Sequence, residues 1–314
     1  MLPKTTLIAY GTYLGFSKDE HDRKPSRNIQ LREMVKRAIS VGYRHIDTAA
    51  IYSTEDEVGE AINYKINEGI VKREDIFLTT KLWNTRHRRE QVSEALRASL
   101  QLMDLDYVDL YLIHWPMGFD DESNFIDVDY METWRGMEDV MNCGFAKRIG
   151  LSNFNREQIE RVLREGTIKP AALQIEIHPQ NTQEELVEFA QSHGMMVMGY
   201  QPFGMMVPRG FDVPGGIRMD NPIIMDIAKK YRKTPAQVVL RWQIDRNIVP
   251  IAKTLTPERL LENLNIFTFQ LTPEEVGRIS SLNNNMRITF PTFWQEHIYY
   301  PFEKVAEPAE MIVF

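Results

Sequence analysis

Four ionisable residues stand where apolar runs close: Asp47, Tyr52, Lys81 and His114. Asp47 ends YRHID (43–47) and Tyr52 follows it by five residues. Lys81 lies in IFLTTKL (76–82), and His114 lies in VDLYLIHW (108–115). Taken alone, each has a plain structural explanation. A lone tyrosine is usually a packing residue, and an aspartate at a strand end is often a helix N-cap. The lysine is different, because an ammonium inside an apolar run is costly without a counter-charge. Asp47 is the natural partner. Four such groups delivered by consecutive strand ends can build one buried proton-transfer site, suited to an oxidoreductase that moves a proton with a hydride.

The elements that must position these groups are readable from periodicity. Eight short runs read as buried strands: 6–11, 43–47, 76–82, 108–115, 146–152, 171–177, 196–200 and 248–252. They are rich in Ile, Val, Leu and Tyr and carry little charge. Between them lie stretches of helical period at 31–41, 57–69, 89–103, 131–143, 156–165, 183–193, 222–232 and 257–264. A last helix at 273–282 opens with the cap signal Thr272-Pro273-Glu274-Glu275. Eight β/α alternations predict a closed (β/α)8 barrel in the α/β class, a TIM barrel. The alternative is an open doubly wound sheet, which usually places GxGxxG after its first strand. The first strand here leads into GTYLGF (11–16), which does not fit.

Two loops, 116–130 and 201–221, follow strands four and seven and so belong to the C-terminal face. The tail 284–314 carries Phe290, Phe293, Trp294, Tyr299, Tyr300 and Phe302 without helical period. An aromatic tail over the barrel mouth would make an apolar pocket. Packing elsewhere on the barrel is the other reading. The whole chain, 1–314, reads as one domain with 284–314 as its substrate loop and tail.

Composition narrows the function classes. The 314 residues are 43% hydrophobic and 26% charged, ordinary for a globular protein. A net charge of −7 and a pI near 5.6 argue against nucleic acid or an anionic membrane as partner. They leave room for an anionic cofactor, which needs only a local basic cluster. The single cysteine, Cys143, excludes an intrachain disulfide, fits a reducing compartment and reads as a packed small residue. The N-terminal stretch lacks a signal-peptide layout, and no apolar run approaches a membrane helix. A cytoplasmic location is expected.

In order and spacing, GYRHIDTAAIY (42–52), LTTKLW (78–83), LDYVDLYLIHWP (105–116), IGLSNFN (149–155), QIEIHP (174–179) and IAKTLTPERLLENL (251–264) resemble the aldo-keto reductase superfamily. The resemblance runs from Gly11 to about Phe302. It implies a monomeric NADPH-dependent carbonyl reductase without a metal. By resemblance Tyr52 is the general acid, Lys81 lowers its pKa while held by Asp47, and His114 orients the carbonyl. A free tyrosine titrates near 10, and a neighbouring ammonium favours the phenolate. The resemblance also assigns Ser152, Asn153 and Gln174 to the nicotinamide carboxamide and the Tyr200 ring to the nicotinamide face. It further implies that Gly11, Thr12, Tyr13, Asp47, Gln201 and Phe203 line the same cofactor cleft. Lys253, Thr254, Leu255, Arg259, Glu262 and Asn263 look like the adenosine site, with Lys253 and Arg259 supplying charge for a 2′-phosphate. That favours NADPH over NADH.

The chain departs from the family pattern in places. After Tyr200 the usual Ser-Pro-Leu-Gly-Ser reads Gln201-Pro202-Phe203-Gly204-Met205. Met205 and Val207 replace groups that often clasp the pyrophosphate, and Leu14 stands where a basic residue is common. A looser clasp is expected. Tyr13 replaces a frequent Trp, the loop after strand four looks short, and the N-terminal hairpin looks altered. The pocket is expected from Tyr13, Tyr52, Trp83, His114, Trp115, Phe119, Phe290, Phe293 and Trp294, walls that suit apolar or aromatic carbonyls and steroids. The tail and loops resemble insect members, some of which reduce 3-dehydroecdysteroids. Broad aldehyde reduction, aldose-type reduction and a non-enzymatic role as crystallin or channel subunit remain as alternatives.

Overall fold

The computed structural model describes residues 6–15, 25–207 and 214–306. The expected change in the N-terminal hairpin, the middle of the loop 201–221 and residues 307–314 of the tail lie outside these. Eight parallel strands close a barrel: β1 (Ala9–Gly11), β2 (His45–Asp47), β3 (Phe77–Leu82), β4 (Leu110–Ile113), β7 (Ile149–Ser152), β8 (Ala172–Glu176), β9 (Met196–Tyr200) and β10 (Ile248–Ala252). Each pairs with its neighbour in the chain, and β1 pairs with β10. These are the eight strands predicted, each inside its expected range. Two further short strands, β5 (Gly118–Phe119) and β6 (Phe125–Ile126), form an antiparallel ribbon in the loop after β4, where no regular structure was expected.

Strand parity explains how the barrel divides its side chains. Ala9, Phe77, Leu110, Leu112, Ala172, Met198, Val249 and Ile251 point inward and form one cluster. Their alternate neighbours, among them Tyr10, Ile46, Leu78, Tyr111, Ile113, Leu173 and Val197, point outward into the large core shared with the helices. Going up a strand by twos, the inward positions change character. In β3 they run Phe77, Thr79, Lys81, and in β8 they run Ala172, Gln174, Glu176. The N-terminal end of the interior is thus apolar and the C-terminal end polar.

The surrounding helices are α1 (Pro25–Val41), α2 (Glu55–Asn67), α3 (Arg89–Met103), α4 (Tyr130–Asn142), α5 (Arg156–Glu165), α6 (Glu184–Ser192), α7 (Pro222–Tyr231), α8 (Pro235–Asp245), α9 (Pro257–Leu264) and α10 (Pro273–Ser280). The cap expected at α10 is a reciprocal box. Thr272 Oγ1 accepts from Glu275 N at 3.2 Å, and the Glu275 carboxylate accepts from Thr272 N at 2.9 Å. Gly59 lets α2 lie directly on α3, since a Cβ there would come within 2.2 Å of the Met103 carbonyl oxygen.

Two sequence expectations are corrected. Helix α8 was not anticipated. It buries Val238, Val239, Leu240 and Trp242 together with Gln237 and Gln243, so it lacks a clean apolar stripe. Its readable signal was the box Thr234-Pro235-Ala236-Gln237, which caps it. Cys143 is exposed, not packed, because α4 ends at Asn142 and the cysteine sits beyond the last turn as its C-cap.

His45, inward on β2, is buried at the apolar end of the interior. Its Nδ1 lies 3.2 Å from the Thr6 carbonyl and its Nε2 3.1 Å from Thr79 Oγ1. Burial lowers its pKa from 6.5 to about 4, against the opposing pull of Asp47. The unfolded chain therefore binds a proton between these values that the fold excludes. The stabilisation is complete above pH 6.5 and is lost as the pH falls toward 4. A shift of this size is worth on the order of 3 kcal/mol. Urea melts should show stability falling over that interval, and His45→Asn should flatten the slope. An equal slope in the variant would remove His45 as its source.

Candidate active site

The polar end of the barrel interior is organised around one ion pair. Lys81 Nζ, fully buried in β3, donates to Asp47 Oδ1 at 2.7 Å, to the Thr48 carbonyl at 2.9 Å and to Tyr52 Oη at 3.4 Å. All three ammonium hydrogens are thereby used. The other Asp47 oxygen accepts from Gln174 Nε2 at 2.7 Å. Tyr52 is placed by a single 3-10 turn, Ala50–Tyr52, which follows β2 and ends at Ser53 with φ of 52°. His114 follows β4, with its ring edge-on to Tyr52 at 5.8 Å and to Trp83 at 5.3 Å. The four residues singled out from the sequence therefore meet in one place.

Their electrostatics differ from expectation at Tyr52. The lysine was expected to lower the tyrosine pKa. Burial, with the Asp47 carboxylate second, instead raises it well above its ordinary value. Burial disfavours the charged phenolate and the Asp47 carboxylate repels it, and these outweigh the Lys81 ammonium 3.4 Å away, which is itself paired with Asp47 at 2.7 Å. Tyr52 thus holds its proton across the ordinary pH range. Burial also lowers the Lys81 pKa, opposed by Asp47. Burial and then the Lys81 charge hold His114 well below its usual value, so its imidazole is neutral.

Beside this group, Asn153 joins three strands. It sits after β7 in the left-handed region with φ of 59°. Its Nδ2 donates to the His114 carbonyl at 3.0 Å and to Ser152 Oγ at 3.2 Å, while its Oδ1 accepts from Tyr200 Oη at 2.7 Å. Ser152, Gln174 and Tyr200 are thereby brought to the same cleft as Asp47. Thr12 joins through Oγ1, which donates to the Asp47 carbonyl at 3.0 Å, and the Tyr13 ring lies 4.9 Å from that of Tyr52. At Gly11 a Cβ would come within 3.0 Å of Ile251, so β1 and β10 approach closely there.

The expected adenosine site is a separate group at the end of β10. Lys253 and Arg259 are exposed around the start of α9, whose N-terminal dipole adds positive potential. Thr254 is buried, with its carbonyl accepting from Tyr10 at 2.7 Å. Asn263 is buried beside Tyr43, and Glu262 accepts from Thr234 Oγ1 at 2.5 Å. Leu255 and Phe203 pack against the main core. Gln201 turns toward the tail and donates to Thr289 Oγ1 at 2.7 Å. Planar amides and an aromatic face at one end, with cations at a helix start at the other, suit a dinucleotide.

The aromatic wall forms as a satellite cluster. Trp115, Met117, Phe119 and Tyr300 are buried, with Trp83, Phe290, Trp294, Tyr299 and Phe302 packed on them. Trp294 is its centre, 4.9 Å from Phe119, 5.7 Å from Trp115, 6.2 Å from Trp83 and 5.0 Å from Phe293. Among the described residues no group of His, Cys, Asp and Glu is arranged to hold a metal, and no helix is long and apolar enough to cross a membrane.

Residues 8–284 match the Aldo/keto reductase family. The chain is 44% identical over 295 residues to aldo-keto reductase AKR2E4 of Bombyx mori, covering 94% of each chain. It is 45% identical over 274 residues to aldo-keto reductase family 1 member A1 of Gallus gallus, covering 83% of this chain and 84% of that one. The chain belongs to the aldo/keto reductase family. It is an oxidoreductase. The crystal structure of AKR2E4 in complex with NADP superposes with a TM-score of 0.89 at 44% identity, covering 94% of this chain and 95% of that one. That of AKR2E5 complexed with NADPH gives 0.92 at 43% identity, covering 98% and 93%.

In this aldo-keto reductase the sequence reading passed over Glu176, His178 and Gln180. Glu176 is fully buried and accepts from Ile288 N and Thr289 N at 2.7 and 2.6 Å. Its signal was present: it stands two residues after Gln174 on one strand, so both share the inward face. Met117 and His297 were likewise missed, because neither carries a spacing signal.

The ion pair predicts its own energetics. Removing one partner strands a buried charge, at a cost of about 3–5 kcal/mol. Asp47→Asn should therefore lower stability by that order in urea melts, and adding Lys81→Met should restore most of it. A double variant as unstable as Asp47→Asn alone would show that the pair is not the source.

Proposed function

We propose that this chain reduces aldehydes and ketones to alcohols with NADPH, and that Tyr52 is the proton donor. The observation that carries this reading is the Tyr52 phenol set 3.4 Å from Lys81 Nζ, beside the buried Lys81–Asp47 pair, with the His114 ring edge-on to it at 5.8 Å. When bound, the cofactor supplies a hydride to the carbonyl carbon. Negative charge then gathers on the substrate oxygen. Tyr52 and His114 face that charge as hydrogen-bonding groups in a water-poor cleft, where such donors act most strongly. The growing alkoxide is far more basic than a phenolate, so Tyr52 transfers its proton despite its raised pKa. The phenolate left behind still accepts from Lys81 Nζ, 3.4 Å away, and is returned to the phenol by a proton from solvent after the alcohol leaves.

The remaining assignments follow the cleft. Asn153, Ser152 and Gln174 hold the carboxamide, and Tyr200, fixed through its hydroxyl on Asn153, offers its ring to the nicotinamide. Lys253 and Arg259 favour the 2′-phosphate, and relatives crystallised with NADP and NADPH support that choice. Gln201, Gly11, Thr12, Tyr13, Phe203, Thr254, Leu255, Glu262 and Asn263 complete the binding set. The aromatic wall favours an apolar or aromatic carbonyl, including a steroid of the 3-dehydroecdysteroid type. Broad aldehyde reduction is the second reading, favoured by the similarity to family 1 member A1. The proposal extends to one domain spanning 1–314, acting as a cytoplasmic monomer. One chain supplies every residue of the tetrad, and a lone exposed Cys143 fits a reducing compartment.

NADPH consumption should be followed by absorbance with 4-nitrobenzaldehyde, hexenal, glucose and 3-dehydroecdysone. Tyr52→Phe should cost about 10²–10⁴-fold in turnover, the usual worth of a general acid, while NADPH affinity holds. Tight NADPH binding without reduction of any carbonyl would sink the reductase reading. The cofactor clasp makes a separate prediction. Met205 is buried and offers no polar group to a phosphate, so stopped-flow fluorescence should show rapid cofactor release. Slow release would contradict it.

A further inference from the structure

Residues 284–289 of the tail are stitched between two loops of the C-terminal face. Asn284 and Met286 donate their backbone N–H groups to the Gln180 carbonyl at 3.3 and 2.9 Å. The buried Gln180 side chain meanwhile grips the loop after β9. It donates to the Gly215 carbonyl and accepts from Ile217 N, both at 2.8 Å. Glu176 takes the backbone N–H groups of Ile288 and Thr289 and is itself contacted by His178 Nε2 at 2.9 Å. Gln201 closes the unit through its 2.7 Å bond to Thr289 Oγ1. The loop that follows Tyr200 and the tail that bears the aromatic wall therefore share one anchor.

We propose that Gln201 is a positioning residue that couples the cofactor side of the cleft to the substrate wall through Thr289. The inference rests on the reductase reading above. Gln201 follows Tyr200 directly, in the left-handed region with φ of 52°. Its Nε2 carries two hydrogens, and Thr289 engages one of them, leaving the other for an anionic oxygen. Its Oε1 is buried and makes no hydrogen bond, so Thr289 alone orients the amide. A glutamine side chain loses considerable rotamer freedom when fixed. Thr289 has already fixed it, and the group is preorganised for the cofactor. A serine at this position, as in the common family pattern, would be too short to reach the tail. Linkage makes the effect reciprocal: whatever tightens Gln201 tightens Thr289, and the wall begins one residue later at Phe290.

The test crosses the two sides. NADPH affinity is read by quenching of protein fluorescence, and steady-state constants are read with a bulky aromatic ketone. Thr289→Val, a change in the tail, should weaken NADPH binding about fivefold, the effect of one ordinary hydrogen bond. Thr289→Ser should restore it. Gln201→Ser, a change in the cofactor loop, should raise KM for the ketone by a similar factor when NADPH is saturating. The double variant Gln201→Ser/Thr289→Val should be no worse than the worse single one, since both remove one link. Unchanged NADPH affinity in Thr289→Val, or losses that multiply in the double variant, would overturn the coupling. The affinity measurement needs no turnover. A protein that binds NADPH and reduces nothing would end the reductase reading while Thr289→Val still decides the coupling.

Discussion

The rest of the site depends on a cation that the fold has removed from water. Lys81 is fully buried, and an ammonium in that position is tolerable only if every hydrogen has an acceptor and a carboxylate neutralises the charge. Asp47, the Thr48 carbonyl and Tyr52 meet those demands. Each demand fixes a neighbour. Asp47 needs a donor for its second oxygen, which fixes Gln174 on the far side of the barrel. Tyr52 must turn back over the pair, which the 3-10 turn after β2 arranges. Three strands are therefore held in register by one charge, independently of their backbone ladders. Burial, with the Asp47 charge second, keeps Tyr52 a phenol.

The place of this pair follows from strand geometry. In a barrel every second residue of a strand faces inward, so the interior is written as a sequence of layers. Here the lower layers are Ala9, Phe77, Leu110 and Val249, and the upper ones are Asp47, Lys81, Gln174 and Tyr200. The lower layers supply dry packing, and the upper ones rest on it. The low-dielectric floor strengthens every hydrogen bond above it. It also depresses the basicity of His114, which burial keeps neutral.

Much of this was legible because it is periodic or costly. The strands showed as short apolar runs, and Lys81 showed as a charge where none should be. What escaped lacked either mark. Helix α8 buries Gln237 and Gln243 among its apolar residues, so its period was blurred and only its cap was distinctive. The β5–β6 ribbon pairs two residues with two, too few for alternation to register. Cys143 depends on where a helix ends, to within a residue. The raised pKa of Tyr52 depends on how fully the fold buries the phenol and on its distance from Asp47, neither of which is a matter of spacing. Glu176 lay inside a recognised motif, but its partners are backbone N–H groups more than a hundred residues away, which no side-chain pattern encodes.

The tail shows how such a barrel can change specificity without disturbing its chemistry. One end, residues 284–289, is held by Gln180, Glu176 and Gln201. The other end is held by Gln158 on the Tyr299 carbonyl at 2.9 Å, by Asn155 on the Pro301 carbonyl at 3.2 Å and by His297 on the Gly118 carbonyl at 3.1 Å. Six of these eight bonds end on the tail's backbone, the Thr289 and His297 side chains making the other two, so they constrain its path and leave most of its side chains unspecified. Between the two anchors the chain presents Phe290, Phe293 and Trp294 to the cluster that meets His114 through Trp83. Side chains in this span can vary in size and polarity while the path, the tetrad and the cofactor cleft stay in place. Of the two side-chain bonds, the Gln201–Thr289 bond is the one that reaches the loop after Tyr200. It is the point at which the choice of a tail residue reaches back to the cofactor side of the cleft.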